Sequence, residues 1–196
     1  MEMKQVDPKN NNVLVEIMRL KEVVEDVFVG NQNSVETDAQ PTEFYVGKAH
    51  KFGPTANIKG QCPELKENDL VIFSNWSGIA ATTTDAYSKV IPGANIVAIT
   101  KSLEMKLEDL KPTGARVLVE VIEDSKVDEN GVFNDKAEDP REVDTMKGKV
   151  ISLGAEAMKL EIGETVYFNS FVGNLIVNRP TQKIKTINST DILFTA

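Results

Sequence analysis

KENDLVIFSNWSG spans Lys66 to Gly78, and EIGETVYFNSFVG spans Glu161 to Gly173. Both stretches open on an acidic turn and run through a Val-bearing apolar segment to Phe. A second aromatic follows three residues later, then a Gly. Two similar strands can arise by chance, but an ordered series does not. VLVEI at Val13–Ile17 returns as VLVEV at Val117–Val121, and GKAHKFG at Gly47–Gly53 returns as GKVISLG at Gly148–Gly154. Each series closes on a short apolar segment, NIVAIT at Asn95–Thr100 and DILFTA at Asp191–Ala196. Four blocks recur in one order, so the chain of 196 residues reads as a tandem duplication with domains at 1–101 and 102–196.

Each block has the chemistry of a strand. β-branched residues dominate VLVEI and VLVEV, and successive side chains alternate between faces. DLVIF and TVYF behave alike, each preceded by a polar turn at Glu67-Asn68-Asp69 or Ile162-Gly163-Glu164. The glycines bracketing GKAHKFG and GKVISLG suit bends or bulges at the corners of a small barrel. No segment holds a 3.6-residue period for three turns. SLEMKLEDL, Ser102–Leu110, fits a helix through Leu103, Leu107 and Leu110, and fits a strand through Leu103, Met105 and Leu107 equally well. The expected fold is all-β, two tandem small β-barrels.

Composition narrows the function. A formal net charge of -8 argues against nucleic acid and against membrane surfaces, both of which call for clustered Lys and Arg. No apolar run approaches the length of a spanning helix. The start, MEMKQVDPKNNN, shows no apolar signal region, so a cytoplasmic location is expected, in the host cytoplasm if the gene is viral. Cys62 and His50 are the only Cys and the only His. They offer no disulfide, no zinc ligand set and no Cys/His nucleophile pair, so neither metal, cofactor nor catalytic residue is expected.

Two long acidic segments interrupt the strands at the same place in each half. One runs between Met18 and Tyr45, the other between Ile122 and Met146. Their composition suits mobile chain, and loops this long inside small domains are usually functional or disordered. Each carries a small apolar knot, Val27-Phe28-Val29 before Gly30 and Gly131-Val132-Phe133. Such a knot suits an anchor that folds on binding. It also suits a residue tucked back onto its own barrel, and composition does not decide between the two.

The run LKPTGARVLVEV, Leu110–Val121, resembles the N-terminal signature of the GroES-type co-chaperonins, the chaperonin-10 family. The second half continues that family's series in order. Gly131-Val132-Phe133 stands at the mobile-loop tripeptide, Gly148-Lys149-Val150 opens the next block, and Gly163-Glu164 leads into Val166-Tyr167-Phe168. Phe171, Gly173 and Asp191-Ile192-Leu193 complete it. The first half is a weaker copy, with Asn68-Asp69 at the turn, Trp76 and Gly78 after the strand, and Asn95-Ile96-Val97 at the close. It also departs from the pattern at its knot, where Glu25-Asp26 replace the glycines. Where the family has a roof hairpin, the first half has only Pro54–Glu64 and the second only Ala155–Lys159.

The resemblance implies a non-enzymatic co-chaperonin that caps the folding chamber of a GroEL-type chaperonin ring. It docks through Val27, Phe28, Val29, Gly131, Val132 and Phe133, with Trp76 and Phe171 as candidates to line the cavity. The resemblance also implies self-association into a ring, the first strand of one unit pairing with the last strand of its neighbour. Thr100 and Met105 are separated by four residues, a reach of at most roughly 13–14 Å, so the halves are expected side by side. A structural or assembly protein on the same fold, such as a viral decoration protein, is the alternative. The zinc-dependent dehydrogenases share the fold, but their Cys/His ligands and Gly-rich dinucleotide loop are missing here.

Overall fold

A computed structural model describes residues 6–18, 44–81, 88–103, 106–122, 145–179 and 182–196. The apolar knots at Val27-Phe28-Val29 and Gly131-Val132-Phe133 lie outside the described residues. The first half contributes β1 (Asn12–Ile17), β2 (Phe44–Phe52), β3 (Leu70–Ser74), β4 (Ile79–Ala80), β5 (Ser88–Pro92) and β6 (Ile96–Thr100). The second contributes β7 (Lys111–Pro112), β8 (Arg116–Ile122), β9 (Thr145–Leu153), β10 (Thr165–Asn169), β11 (Asn174–Arg179), β12 (Gln182–Asn188) and β13 (Ile192–Thr195). Among the described residues the only helical pieces are single 3₁₀ turns, including Gly93–Asn95, Leu107–Asp109 and Ser189–Asp191. The fold is all-β.

The strand order shows the duplication directly. One sheet runs β4-β5-β1-β2-β3-β6-β7 and the other β11-β12-β8-β9-β10-β13, so the same six-strand order occurs twice. Irregularities repeat with it. The pairing of β1 with β2 shifts register between Leu14 and Val15, and that of β8 with β9 shifts between Leu118 and Val119. A second shift falls between Ile72 and Phe73, and again between Tyr167 and Phe168. A bulge bends a strand and sharpens its twist, so matching bulges give the two sheets the same curl.

Turns repeat through different residues. Asn10 and Gly114 have φ of 54° and 59°, and Asn68 and Gly163 have φ of 70° and 95°. Asn is one of the few residues beside Gly that tolerates this left-handed region, because its short side chain bonds locally. The turns before β3 and β10 are thus the same turn.

Each sheet encloses its own apolar core. Val13, Val15, Val71, Phe73, Ile91 and Ile96 centre the first, and Val117, Val119, Val150, Val166, Phe168 and Ile187 the second. Apart from Ile91 on β5 and Ile187 on β12, strands not read from the sequence, these are inward positions of the strands expected there. The bracketing glycines, however, are not the bulges. The extra residue of the first bulge lies between Ala49 and Lys51, inside the bracket. Gly47 instead lets β2 lie against β1 and β3, since a Cβ there would strike Val15 and come within 3.0 Å of the Phe73 ring.

The ambiguous segment after β6 resolves as neither full helix nor long strand. Leu107–Asp109 is one 3₁₀ turn and pairing resumes at Lys111; Glu104 and Met105 lie outside the described residues. There β7 pairs with β6, Ala98 opposite Pro112 and Ile99 opposite Lys111. The second half therefore continues the edge of the first sheet, side by side as the short connection requires.

Candidate functional site

Two aromatic side chains stand out from both cores. Trp76 is 82% exposed and Phe171 is 78% exposed. Burying a Phe-sized side chain is worth roughly 1.5–3 kcal/mol, so a chain that keeps one in water at the same place twice gives up that gain twice. The turn geometry accounts for the presentation. Each aromatic follows a strand, β3 or β10, and precedes a glycine in the left-handed region, Gly78 at φ 74° and Gly173 at φ 70°. A Cβ at either glycine would strike the strand that pairs with the next one, Val90 O of β5 for Gly78 and Thr186 O of β12 for Gly173. The chain doubles back there and the aromatic is left on the outside of the bend.

A lysine closes each bend, half-buried at Lys89 and buried at Lys185, and the sequence reading missed both. Lys89 Nζ donates to Asn75 O at 2.6 Å and to Ser77 O at 3.4 Å. Lys185 Nζ donates to Ser170 O at 2.6 Å. The first ammonium lies over the Tyr45 ring, the second over the Phe168 ring, at 5.4 and 5.7 Å from the ring centres. Burial lowers the pKa of both lysines from the ordinary value. The carbonyls of the turn and the π-face offset that desolvation. The signal was available: SKVI at Ser88–Ile91 and IKTI at Ile184–Ile187 place the Lys at the same step of β5 and β12.

The boundary between the halves is a second constructed region. Arg116, at the start of β8, donates to Ala94 O at 2.6 Å and Ile96 O at 3.2 Å, both in the first half. Thr113 adds its hydroxyl to Ile96 O and its amide to Val97 O. From the other side, the Glu64 carboxylate accepts from the amides of Ala155 at 2.8 Å and Gly114 at 3.4 Å. Glu156 returns a carboxylate to the Gly60 amide at 2.9 Å. The segment Pro54–Glu64 forms turns without a strand and leans on the second half instead of rising as a hairpin. Within it, Cys62 is fully buried; desolvation pushes its thiol up to about 12, with the Glu64 charge adding to the shift. That thiol is a packing residue.

Among the described residues, no group of three or more His, Cys, Asp or Glu is placed to hold a metal ion, and no helix is long and apolar enough to cross a membrane. Comparison with known proteins places one repeat in a family. The family model for the Chaperonin 10 Kd subunit matches residues 109–196. The co-chaperonin GroES of Campylobacter concisus (strain 13826) is 33% identical over 85 residues, which cover 94% of that protein and 43% of this chain. This chain belongs to the chaperonin-10 family. The co-chaperonin GroES of Sulfurovum sp. (strain NBC37-1) is 30% identical over 69 residues, 77% of its length and 35% of this chain. The match to residues 109–196 falls on the second repeat, the half whose motifs follow the family series more closely. The first repeat matches the second in its strand order, its bulges and its turns.

Proposed function

We propose that this chaperonin-10 chain is a tandem co-chaperonin, with domains at 1–101 and 102–196, that caps the folding chamber of a GroEL-type chaperonin. The observation that carries the proposal is that this chain spans nearly the whole of a GroES while its strand order occurs twice. The docking elements are Val27-Phe28-Val29 and Gly131-Val132-Phe133. In sequence each lies between the first and second long strands of its repeat, from Ile17 to Phe44 and from Ile122 to Thr145. Burying one Val or Phe gains roughly 1.5–3 kcal/mol, and ordering a loop on binding costs roughly 2–5 kcal/mol. One loop alone therefore binds weakly. Several on one ring raise avidity by on the order of 10²–10⁴, which suits a cap that must also leave.

Self-association follows from the same reading. The junction of β6 with β7 supplies the pattern for joining one chain to the next, β13 of one copy to the leading segment of another. A ring of whole chains holds an even number of domains and leaves no open strand edge. Trp76 and Phe171, exposed at corresponding bends, are the side chains we assign to the enclosed cavity. The protein acts by binding and enclosure, without chemistry of its own.

The test is to mix the protein with a GroEL-type chaperonin and follow complex size by native mass spectrometry. A larger complex that forms with ATP and is lost without nucleotide supports the co-chaperonin reading. No nucleotide-dependent complex, with the oligomer intact, favours a structural or assembly protein on the same fold.

A further inference from the structure

The two aromatic bends share a backbone but not a surface. Between Ser74 and Ala81 the first reads SNWSGIAA, and between Asn169 and Ile176 the second reads NSFVGNLI. Neither carries a charged residue, in a chain of which 27% is charged. The strand after each glycine opens on a different residue. Ile79 heads β4 opposite Val90, whereas Asn174 heads β11 opposite Thr186. Ile79 is 73% exposed, three residues after Trp76 at 82%. The first bend thus holds two large apolar side chains in water, where the second has Phe171 and a side-chain amide. The one cation on the facing strand, Lys89 opposite Ala80, is spent on the carbonyls of Asn75 and Ser77.

A neighbouring domain of this fold does not cover that position. At the internal boundary the first half packs against β11 and leaves Ile176 and Val177 only 4% and 6% exposed. Phe171 and Asn174 stay exposed beside that contact. A domain seated the same way on the first half would likewise leave Trp76 and Ile79 in water.

Apolar side chains exposed singly need no explanation, but an uncharged Trp and Ile together mark a surface for a partner. Trp is also among the residues that most often anchor such contacts. The partner's chemistry follows from what the bend lacks. Without a charged side chain it selects for apolar surface and not for a charge pattern. Folded proteins expose such surface in small pieces, whereas a chain that has not yet folded exposes far more of it.

Resting on the co-chaperonin reading above, we propose that Trp76 and Ile79 form a binding surface for apolar segments of non-native polypeptide. The first repeat carries this contact and the second, with Asn174, contributes little. One patch binds weakly and releases; repetition on an oligomer supplies the retention.

Trp76 is the only Trp of the chain, so its fluorescence reads the surface directly. The full protein is titrated, without chaperonin, with a Trp-free unfolded polypeptide rich in Val and Leu. A second polypeptide of equal length carries Ser at those positions. With the apolar chain, Trp76 emission shifts to the blue, saturates and survives high salt; with the Ser chain it does not move. Ile79→Asn, which installs the second repeat's residue, weakens the apolar titration about tenfold, and Phe171→Ser by less than about twofold. Both side chains are exposed, so neither variant removes a core contact. Emission that ignores the apolar chain, a shift that salt abolishes, or equal losses in the two variants overturns the inference. A blue shift that grows with the protein's own concentration, with no polypeptide added, assigns the patch to a second copy and overturns it as well. Because no chaperonin is present, a failed titration leaves the capping role standing, and a missing nucleotide-dependent complex leaves the titration result unchanged.

Discussion

Asn68 and Gly163 occupy one turn in the two repeats, and Phe44 and Thr145 occupy one strand position. The first exchange leaves the backbone unchanged, with φ of 70° and 95°. The second turns a buried aromatic into an exposed hydroxyl. Backbone-setting positions tolerate only residues that adopt the required dihedral, so the repeats agree there. Positions on the side faces answer to whatever lies next to them, so they diverge. The first repeat is always followed by the second, and its face can be apolar permanently. Beside the second repeat no strand lies beyond β13 among the described residues, and Leu193 and Phe194 are exposed there.

The loops should show the largest difference between repeats. Phe28→Asp and Phe133→Asp together are expected to abolish binding to the chaperonin, with circular dichroism and oligomer size unchanged. Singly, Phe133→Asp should cost more affinity, of the order of 100-fold against about 10-fold for Phe28→Asp. Gly131 frees the backbone before the second knot, whereas the Glu25 and Asp26 carboxylates would have to be desolvated beside the first. A greater loss at Phe28, by chaperonin titration, reverses this ranking.

The next contrast lies in how tightly the glycines are enclosed. A Cβ at Gly47 would strike Val15, whereas one at Gly148 meets Phe168 at 3.1 Å and Val119 at 3.2 Å. Gly47→Ala should therefore destabilise by about 3 kcal/mol and Gly148→Ala by about 1 kcal/mol. Denaturant midpoints of the two variants decide it. Equal losses would mean that β2 and β9 relax alike and that the tighter contact carries no extra strain.

Much of this was legible before any coordinates. Strands such as Val13–Ile17 and Val117–Val121 announce themselves through β-branched alternation, and the paired aromatic bends through a Gly at fixed distance. The turn at Asn68 could be matched to that at Gly163 because both residues serve one dihedral. What the sequence hid was contact across long separations. Glu64 bonds to Ala155 and Arg116 to Ala94, pairings that no local pattern encodes. Lys89 and Lys185 were hidden for another reason: a lysine in a strand reads as solvent-facing until a carbonyl is found at its end. The glycines left bend and bulge both open in the sequence, because a bulge and a close strand approach call for the same residue.

Those lysines provide the next contrast. Lys89 reaches two turn carbonyls and Lys185 one, but Lys185 is more enclosed, at 9% exposure. A charge-assisted bond is worth about 1.5–3 kcal/mol, and removing a buried charge recovers part of it. Lys89→Met should thus cost about 2 kcal/mol and Lys185→Met about 1 kcal/mol. The local effect should exceed the global one. Exchange of the Val172 amide, which donates to Asn169 O across the Phe171 bend, should rise in Lys185→Met before overall unfolding does. Exchange that tracks global stability would show that the lysine does not hold the bend.

The smallest effect concerns the residue with no counterpart. Cys62 belongs to Pro54–Glu64, the longer loop that lets the first repeat lean on the second, and its thiol is raised from 9.0 to about 12 chiefly by burial. The sign follows from proton counting. Between pH 9.0 and about 12 the unfolded chain loses the thiol proton while the folded chain keeps it. Its contribution is fully present below pH 9.0 and disappears as pH rises towards the folded value. By pH 10 the loss should be about 1 kcal/mol, from about 1.36 kcal/mol per pKa unit. Cys62→Ala removes the group, so its stability should decline less than wild type between pH 9 and pH 10.5, whatever its stability at pH 7. Denaturation curves at three pH values measure this directly. Parallel declines in the two proteins would mean that water reaches the thiol in the folded state, and that the loop stands away from the second repeat instead of sealing against it.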